Sequence, residues 1–246
     1  MKEEIGRKFV EKTKYRSVGT SDQQKGLPQP PLEAPWDASA ETIELPKREE
    51  IDVGKVDLAE AMLKRESVRE YGPGPLSFKE MRFLLRCTLG VRRVVPGVAT
   101  FRTVPSAGAR HALETYILAN RVEGLSPGLY RVLAIERRIV KISVAPDLPA
   151  RFAEACLGQG FVQSCAALFI WVADVYRMTY RYGQRGYRYL YLDAGHVCQN
   201  LYLAAEAIDA GVCAIGAYDD ERVDGLLGLG GKDQFAIYMA AVGKKA

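Results

Sequence analysis

The chain has 246 residues, of which 48% are hydrophobic and 26% are charged, a balance typical of a globular protein with a sizeable core. Its 34 basic and 30 acidic residues leave a net charge of +4, which is too small an excess to indicate nucleic-acid binding. The longest apolar run covers residues 166–173, far short of the roughly 20 residues that a membrane span needs. The first residues are charged and lack an apolar signal core, so we expect a cytoplasmic protein without a membrane partner.

Residues 1–54 differ in composition from the rest of the chain. Five of the 12 prolines fall within this segment, at Pro28, Pro30, Pro31, Pro35 and Pro46. Such a dense cluster favours extended, polyproline-like structure and cannot build a core. Two interpretations stay open: a free tail, or an arm that lies across a partner subunit and is anchored by Trp36. We therefore predict an extended, proline-rich arm over residues 1–54 and one compact domain over residues 55–246.

The compact domain begins with a helix over 57–64, for which Asp57 is the expected N-cap. Ser77 and Glu80 form a capping box that opens a second helix, ending near Leu89. Further helices are predicted over 148–157, 187–210 and 220–227, and strands over 114–119, 129–134, 138–143, 166–173, 212–217 and 235–242. Because helices and strands mix without strict alternation, the predicted fold class is α+β.

The predicted helix over 187–210 is apolar around nearly its whole circumference and stops at Gly211, a usual residue after a helix end. A helix that is apolar all round is buried, so in a domain of this size we expect it to be shared with another subunit. His196 lies in its middle, where a satisfied core or interface histidine is the expected role.

Cysteine and histidine usage excludes several site types. The five cysteines form no C-x-x-C pair, which predicts reduced and mostly buried thiols. The only two histidines, His111 and His196, have no neighbours at metal-ligand spacing, so no metal site is expected. No G-x-S-x-G motif supports a serine hydrolase.

Two short segments carry side chains suited to ligand binding. Arg65, Ser67 and Arg69 stand at alternate positions just past a helix end, where two guanidiniums and a hydroxyl can converge on a phosphate. An ordinary basic helix terminus is the alternative. The second segment is a loop of small residues that lets backbone groups approach a flat or anionic ligand, or makes a tight turn into an edge strand. Its residues are Pro105, Ser106, Ala107, Gly108 and Ala109.

A third segment, residues 180–200, makes the combination specific. Arginine and tyrosine alternate over 180–189, which alone fits a surface stripe or a platform for single-stranded nucleic acid. The run leads into Asp193, Gly195 and His196, and then into Gln199 and Asn200. Together with the R-x-S-x-R spacing of residues 65–69 and the loop at 105–109, it resembles the flavin-dependent nitroreductase family. The resemblance covers residues 56–246 and is nearest to the SagB-type (thiazole/oxazole dehydrogenase-like) branch.

This resemblance implies a nitroreductase-like fold, in which a central antiparallel or mixed sheet is flanked by helices, and an intertwined homodimer with FMN at the subunit interface. It implies hydride transfer through flavin N5 between a donor such as NAD(P)H and a small-molecule acceptor. Arg65, Ser67, Arg69 and, by position, Lys244 would hold the FMN phosphate. Residues Pro105, Ser106, Ala107 and Gly108 would line the flavin ring, and backbone N–H groups of Gly216 and Ala217 would lie near N5. Tyr182 and Tyr187 are the catalytic candidates, and Gln159 is a further residue expected to line the cofactor pocket.

One departure from the SagB-type pattern bears on the reaction. Members that oxidise azolines carry a Lys-Tyr pair just before the glycine at position 183, whereas this chain has Arg181 and Tyr182. Tyr182 can still act as an acid or base, but an arginine cannot lose its proton. Azoline dehydrogenation in peptide maturation therefore stays an alternative, as do a flavin-consuming enzyme and a flavin-binding protein with little turnover.

Overall fold

The computed structural model describes residues 4–45, 53 and 55–246. The strands are β1 (Thr42–Glu44), β2 (Val91–Val95), β3 (Ala99–Arg102), β4 (Leu113–Ala119), β5 (Gly128–Leu133), β6 (Arg138–Ser143), β7 (Ala167–Asp174), β8 (Ala210–Ile215) and β9 (Gln234–Lys244). The helices are α1 (Ile5–Lys12), α2 (Leu58–Lys64), α3 (Phe78–Leu89), α4 (Leu148–Ala155), α5 (Phe161–Ser164), α6 (Val175–Tyr182), α7 (Gly186–Glu206) and α8 (Asp220–Leu227).

Seven strands form one sheet in the order β1-β6-β5-β4-β7-β9-β8, and each neighbouring pair is antiparallel. Successive side chains of a strand point to opposite faces of the sheet. Both faces carry apolar side chains, and helices pack on each of them. On β7, Phe169 and Trp171 pack towards α3 and α7, whereas Leu168 and Ile170 pack towards α4 and α8. The predicted α+β class, the central sheet and the doubly buried strand are confirmed.

Local capping signals were predicted correctly. The Asp57 side chain accepts a hydrogen bond from the backbone N–H of Glu60 at the start of α2. Ser77 and Glu80 form the expected reciprocal capping box at the start of α3. These signals depend only on residues three apart, so no tertiary contact was needed to find them.

The predicted end of the long helix was wrong. Helix α7 ends at Glu206, and Gly211 lies inside β8 instead of following the helix. A Cβ at Gly211 would collide with the side chain of Val68, so the glycine is required for a close approach between two backbone segments. The hairpin of β2 and β3 and the short helix α6 were not predicted from the sequence.

The N-terminal segment packs on the body of its own chain. It contains α1, and its strand β1 pairs with β6 at the edge of the sheet. Arg131 donates hydrogen bonds to the carbonyls of Ala34 (2.7 Å) and Pro35 (2.9 Å). Trp36 is half-buried, and Pro46 lies outside the described residues. Contact of this arm with a partner subunit stays a prediction.

Two further predictions concern the chain as a whole. All five cysteines are free thiols, four of them buried and Cys87 half-buried, which confirms the prediction. Within the described ranges, no helix combines the length and the apolar character that crossing a bilayer requires.

Candidate functional site

The three residues of the R-x-S-x-R segment gather beside β8 and one tyrosine. The Ser67 hydroxyl lies 3.0 Å from the Tyr202 hydroxyl, and the Arg65 guanidinium lies 5.3 Å from the centroid of the Tyr202 ring. Burial raises the pKa of the Cys213 thiol in β8, and the nearby charge of Arg69 partly offsets this rise. The structure therefore places all three residues beside β8, with Ser67 and Arg69 exposed, and their contact with a phosphate stays a prediction.

Tyr202 is a site residue that sequence analysis missed. Its hydroxyl also accepts a hydrogen bond of 2.9 Å from the backbone N–H of Ala214, so it ties α7 to β8 beneath the cluster. The sequence held one sign of this role: Tyr202 lies in a helix predicted to be buried, and a buried tyrosine hydroxyl normally finds a hydrogen-bond partner.

Lys244, a predicted phosphate ligand, contacts groups of the chain itself in this structure. Its ammonium lies 2.6 Å from a Glu80 carboxylate oxygen and 2.7 Å from the Ile208 carbonyl. The salt bridge thus connects the end of β9 to the capping box of α3. A contact between Lys244 and a phosphate stays a prediction, and it would require this ion pair to open.

The loop at residues 105–109 is held by one carboxylate of α7. Ser106 Oγ donates to Asp193 Oδ2 at 2.6 Å, and the Ala107 N–H donates to Asp193 Oδ1 at 3.2 Å. Ser106 Oγ also accepts from the backbone N–H of His111 at 2.8 Å. Burial raises the pKa of Asp193, while these hydrogen bonds favour its ionised form. Asp193 is therefore the residue that positions the predicted ring-binding loop.

The backbone of this loop is strained. Gly108, Ala109 and His111 have φ values of 56°, 54° and 44°, in the left-handed region. Such values cost about 1–2 kcal/mol for a residue with a Cβ. Strain of this kind survives only where surrounding contacts impose the conformation, and here Asp193 and Ser106 provide them.

Tyr182 and Arg181 cover the same loop from outside. A Cβ at Gly108 would collide with the Tyr182 hydroxyl and approach the Arg181 side chain to 3.0 Å. The Tyr182 ring packs edge-on against Tyr189, with ring centroids 4.7 Å apart. Tyr187, the other catalytic candidate, is half-buried in the first turn of α7 and packs on the main core. The structure therefore brings Tyr182 onto the loop, whereas Tyr187 packs on the main core.

The strand-to-helix junction after β8 joins two more predicted residues. Gln159 Nε2 donates to the carbonyls of Ala217 (2.9 Å) and Cys156 (2.8 Å), which fixes the backbone of the junction. Gly216 and Ala217 are exposed, and a Cβ at Gly216 would meet no atom within 4 Å. The Asp219 side chain caps α8 by accepting from the Arg222 N–H. Open space and accessible backbone make this junction suited to a flat ligand.

The ring-binding loop and the R-x-S-x-R cluster lie on different sides of α7. Asp193 holds the loop and Tyr202 holds the cluster, nine positions further along the helix. At about 100° and 1.5 Å per residue, the two side chains point in directions about 180° apart and are separated by about 13 Å along the axis. One chain therefore presents two half-sites instead of one continuous site.

Helix α7 also exposes part of its apolar surface. Leu192 is 58% exposed and Tyr191 is 56% exposed, and Leu63 on the adjoining α2 is 87% exposed. His196 is exposed too, so it is not a core histidine in the single chain, and an interface role for it stays a prediction. Large apolar side chains this exposed on neighbouring helices are typical of an interaction surface.

The chain matches a protein-family model. The model described as the nitroreductase family covers residues 62–244 of the chain. A protein of Methanocaldococcus jannaschii assigned as a nitroreductase is 33% identical over 194 residues, which cover 79% of this chain and 94% of that protein.

Two further similarities cover only part of the other protein. A solved structure of a protein assigned as a nitroreductase from Anabaena variabilis has a TM-score of 0.70 and 27% identity, over 85% of this chain and 42% of that one. The trifolitoxin-processing protein TfxB of Rhizobium leguminosarum bv. trifolii is 30% identical over 111 residues, which cover 44% of this chain and 30% of that protein. The family match confirms the resemblance found in the sequence, and the trifolitoxin-processing relative agrees with its SagB-type branch.

Proposed function

The chain belongs to the nitroreductase family, and we propose that it is an FMN-dependent enzyme that transfers hydride between a donor such as NAD(P)H and a small-molecule acceptor. That it is an oxidoreductase follows from the family and from the nitroreductase relative. The family's members are flavoproteins. The cofactor, the donor and the direction of transfer are the proposed part.

The observation that carries the proposal is the arrangement along β8. Ser67 pairs with Val212, the guanidiniums of Arg65 and Arg69 lie near Tyr202 and Cys213, and the accessible backbone of Gly216 follows the end of the strand. Four residues of extended strand span about 13 Å. Arginine and serine side chains suit a phosphate, and open backbone suits a ring, so the donor set fits a flavin mononucleotide.

Each group would have a defined task. Bound FMN supplies two-electron redox chemistry at its ring. Arg65, Ser67 and Arg69 would bind the phosphate, and the N–H groups of Gly216 and Ala217 would donate to the edge of the ring. Tyr182 would hold a proton for the acceptor beside the loop at 105–109. Arg181 stays charged and would orient an anionic group, not remove a proton.

A homodimer is part of the same proposal. In one chain, the loop at 105–109 and the cluster of Arg65, Ser67 and Arg69 lie on opposite sides of α7. A single chain therefore cannot offer both to one ligand. A second copy would bring its loop against the first copy's cluster. The exposed apolar side chains of α2 and α7, Leu63 and Leu192 among them, would be covered in that assembly.

A second candidate function is favoured by one observation, the similarity to the trifolitoxin-processing protein. Azoline dehydrogenation during peptide maturation would use the same flavin site with a modified peptide as the hydride donor. Arg181 counts against it, because the position of the expected base holds a permanent cation.

The test begins with an absorbance spectrum of the purified protein and anaerobic addition of NADPH or NADH. Flavin bands, released as FMN on denaturation and bleached by a nicotinamide, would support the proposal. Bound FMN without bleaching would favour the peptide dehydrogenase or a low-turnover binder, and loss of the bound flavin in air would favour a flavin-consuming enzyme. A colourless protein that takes up no added FMN would refute it.

Variants then test the residues. Arg65→Ala and Arg69→Ala should each raise the dissociation constant of FMN, because each removes a charge-assisted hydrogen-bond donor. Arg151→Ala, an exposed arginine on α4, is the matched control and should leave FMN binding unchanged. Equal FMN affinity in the wild type and the three variants would show that the phosphate of FMN lies elsewhere.

A further inference from the structure

The N-terminal segment and the end of α6 border an open cavity that the sequence did not predict. Its volume is about 350 Å³, within the range of small-molecule pockets. Residues 15–24 form one wall, with Ser21, Gln23 and Gln24 among them. Arg181, Tyr182 and Arg185 form the other wall. The chain's own arm, and not only the compact domain, therefore shapes this space.

The cavity adjoins the proposed flavin site through shared residues. Tyr182 lines the cavity and, with Arg181, also covers Gly108 of the loop at 105–109. A molecule in the cavity would thus lie next to the loop on which the flavin ring is proposed to rest.

Hydrogen bonds attach the wall formed by residues 15–24 to the rest of the fold. The backbone N–H of Gln23 donates to the Tyr180 carbonyl at 3.0 Å, and the Tyr180 hydroxyl donates to the Leu27 carbonyl at 2.9 Å. On the other side of the cavity, Arg185 Nη1 donates to the Thr13 carbonyl at 2.9 Å. Hydrogen bonds on both sides fix the segment, so the cavity is a defined pocket.

The charged side chains that line the cavity in the described chain are all positive. Arg181 and Arg185 line it, and none of its lining residues within the described chain is a carboxylate. Burial lowers the pKa of Arg110, and the charge of Arg181 lowers it further, which places a third guanidinium close by. The nearby Asp22 is engaged by Lys25 at 3.1 Å and by the Tyr176 hydroxyl at 3.3 Å.

Of the two arginines that line the cavity, Arg185 is hydrogen-bonded within the protein, and Arg181 is available to bind a ligand. In the part of the chain that the structure describes, it has no hydrogen-bond or ion-pair partner and only stacks near the Tyr182 ring, 5.7 Å from its centroid. A guanidinium presents several donors in a planar fork that matches the two oxygens of a carboxylate or phosphate.

We infer that this cavity is the substrate pocket of the enzyme and binds an oxyanion, a carboxylate or phosphate group, through Arg181. The inference rests on the proposed oxidoreductase function for its placement beside the flavin. The oxyanion has two possible sources, the 2′-phosphate of NADPH and a carboxylate of the acceptor. Both use the same chemistry at Arg181.

The experiment measures dissociation constants by calorimetry on the full-length protein, with its FMN content recorded separately by absorbance. The probes are two matched pairs: NADPH and NADH, and 4-nitrobenzoate and 4-nitrobenzyl alcohol. Arg181→Gln removes the charge and keeps a polar side chain. Arg151→Gln removes an exposed charge on α4 and is the matched control.

We expect Arg181→Gln to weaken binding of one anionic probe by about tenfold or more and its neutral or dephosphorylated counterpart by less than twofold. Selective loss of NADPH would identify the donor phosphate, and selective loss of 4-nitrobenzoate would identify the acceptor carboxylate. If Arg181→Gln affects both members of each pair equally, or affects none, the inference is wrong.

The outcome is independent of the cofactor proposal. A protein that binds no FMN but shows the selective loss would keep the anion pocket and refute the flavin enzyme. A protein with FMN and nicotinamide turnover but no selective loss would keep the enzyme and refute the pocket. Circular dichroism spectra of Arg181→Gln that match the wild type would show that the variant is folded.

Discussion

Ser106 Oγ and Asp193 Oδ2 lie 2.6 Å apart, although 87 residues separate them in sequence. This contact fixes the loop at 105–109 to the central helix α7. The loop carries the proposed ring-binding backbone, so a carboxylate that touches no ligand itself would control the shape of the site. Asp193 is a positioning residue in this sense, and its removal has consequences that can be measured.

Asp193→Ala should lower both stability and flavin affinity. The change leaves the half-buried Ser106 hydroxyl and Ala107 N–H without their acceptor, at a cost of about 1 kcal/mol for each hydrogen bond lost. Urea unfolding would measure the lost stability, and an FMN titration would measure the affinity. Asp147→Ala, at an exposed position before α4, is the control: it should leave FMN affinity unchanged and cost about 1 kcal/mol of stability or less. Equal behaviour of the two variants would contradict the positioning role.

Gly108→Ala should displace Tyr182. The new methyl group would occupy a backbone with φ of 56° and collide with the Tyr182 hydroxyl. Gly97→Ala is a matched control, because Gly97 has φ of 67° but a Cβ there would meet no atom within 4 Å. Both variants should lose about 1 kcal/mol from backbone strain. Only Gly108→Ala should also lower the rate of acceptor reduction.

A double-mutant cycle separates the two effects at Gly108. Tyr182→Phe removes the hydroxyl that the new methyl group would strike, so it should recover part of the stability lost in Gly108→Ala. Additive losses of Gly108→Ala and Tyr182→Phe in urea unfolding would show that the two residues do not touch.

Glu114→Gln should destabilise the fold strongly and loosen the N-terminal arm. Burial opposes ionisation of Glu114, but Arg177 at 2.6 Å and Arg131 at 3.1 Å lower its pKa overall, and its carboxylate also accepts from the Ala34 N–H. Breaking a buried ion pair on one side typically costs about 3–5 kcal/mol. Urea unfolding and the rate of trypsin cleavage before residue 45 would report the two effects.

The control for this prediction is Glu41→Gln. Glu41 pairs with Lys141 at the surface, where its side chain is 65% exposed, and such pairs contribute about 1 kcal/mol or less. If Glu41→Gln costs as much stability as Glu114→Gln, the buried cluster is not what holds the arm.

The sequence predicted the features that depend on neighbours in the chain and missed those that depend on distant ones. The capping box of Ser77 and Glu80 and the buried strand β7 follow from local spacing. The roles of Asp193 and Tyr202 follow from contacts with loops 86 or more residues away, which no single-sequence pattern encodes. Gly211 shows the same limit: its position suggested a helix end, but the collision with Val68 decides its use.

The site shows a similar division. The spacing of Arg65, Ser67 and Arg69 was enough to predict a cluster, because alternate residues of an extended segment share a side. The cavity beside Arg181 was not predictable, since one of its walls is formed by residues 15–24, whose polar composition gives no sign of docking. Further along the same N-terminal segment, Ala34 is held by Arg131 and Glu114, which look like ordinary strand residues in the sequence.

His111 should make the stability of the fold depend on pH. The pKa of His111 is lowered from 6.5 to about 3, mainly by burial and also by the positive charges of Arg102, Arg110 and Arg177, while a hydrogen bond with the Thr100 backbone acts the other way. Between these two values the unfolded chain binds a proton that the folded chain does not. The free energy of unfolding therefore falls as the pH falls from 6.5 towards 3, by up to about 1.4 kcal/mol per pH unit.

His111→Asn removes this titration and tolerates the left-handed backbone, with φ of 44°, better than most residues would. Urea unfolding at intervals from pH 8 to pH 5 should give parallel curves for the two proteins above pH 7. Below pH 6.5 the wild type should lose stability more steeply than the variant. The comparison with the variant isolates His111, because both proteins share the other buried carboxylates, such as Glu114, whose pKa is lowered, and Asp193, whose pKa is raised. Curves that stay parallel down to pH 5 would mean that His111 is protonated as easily in the folded chain as in the unfolded one.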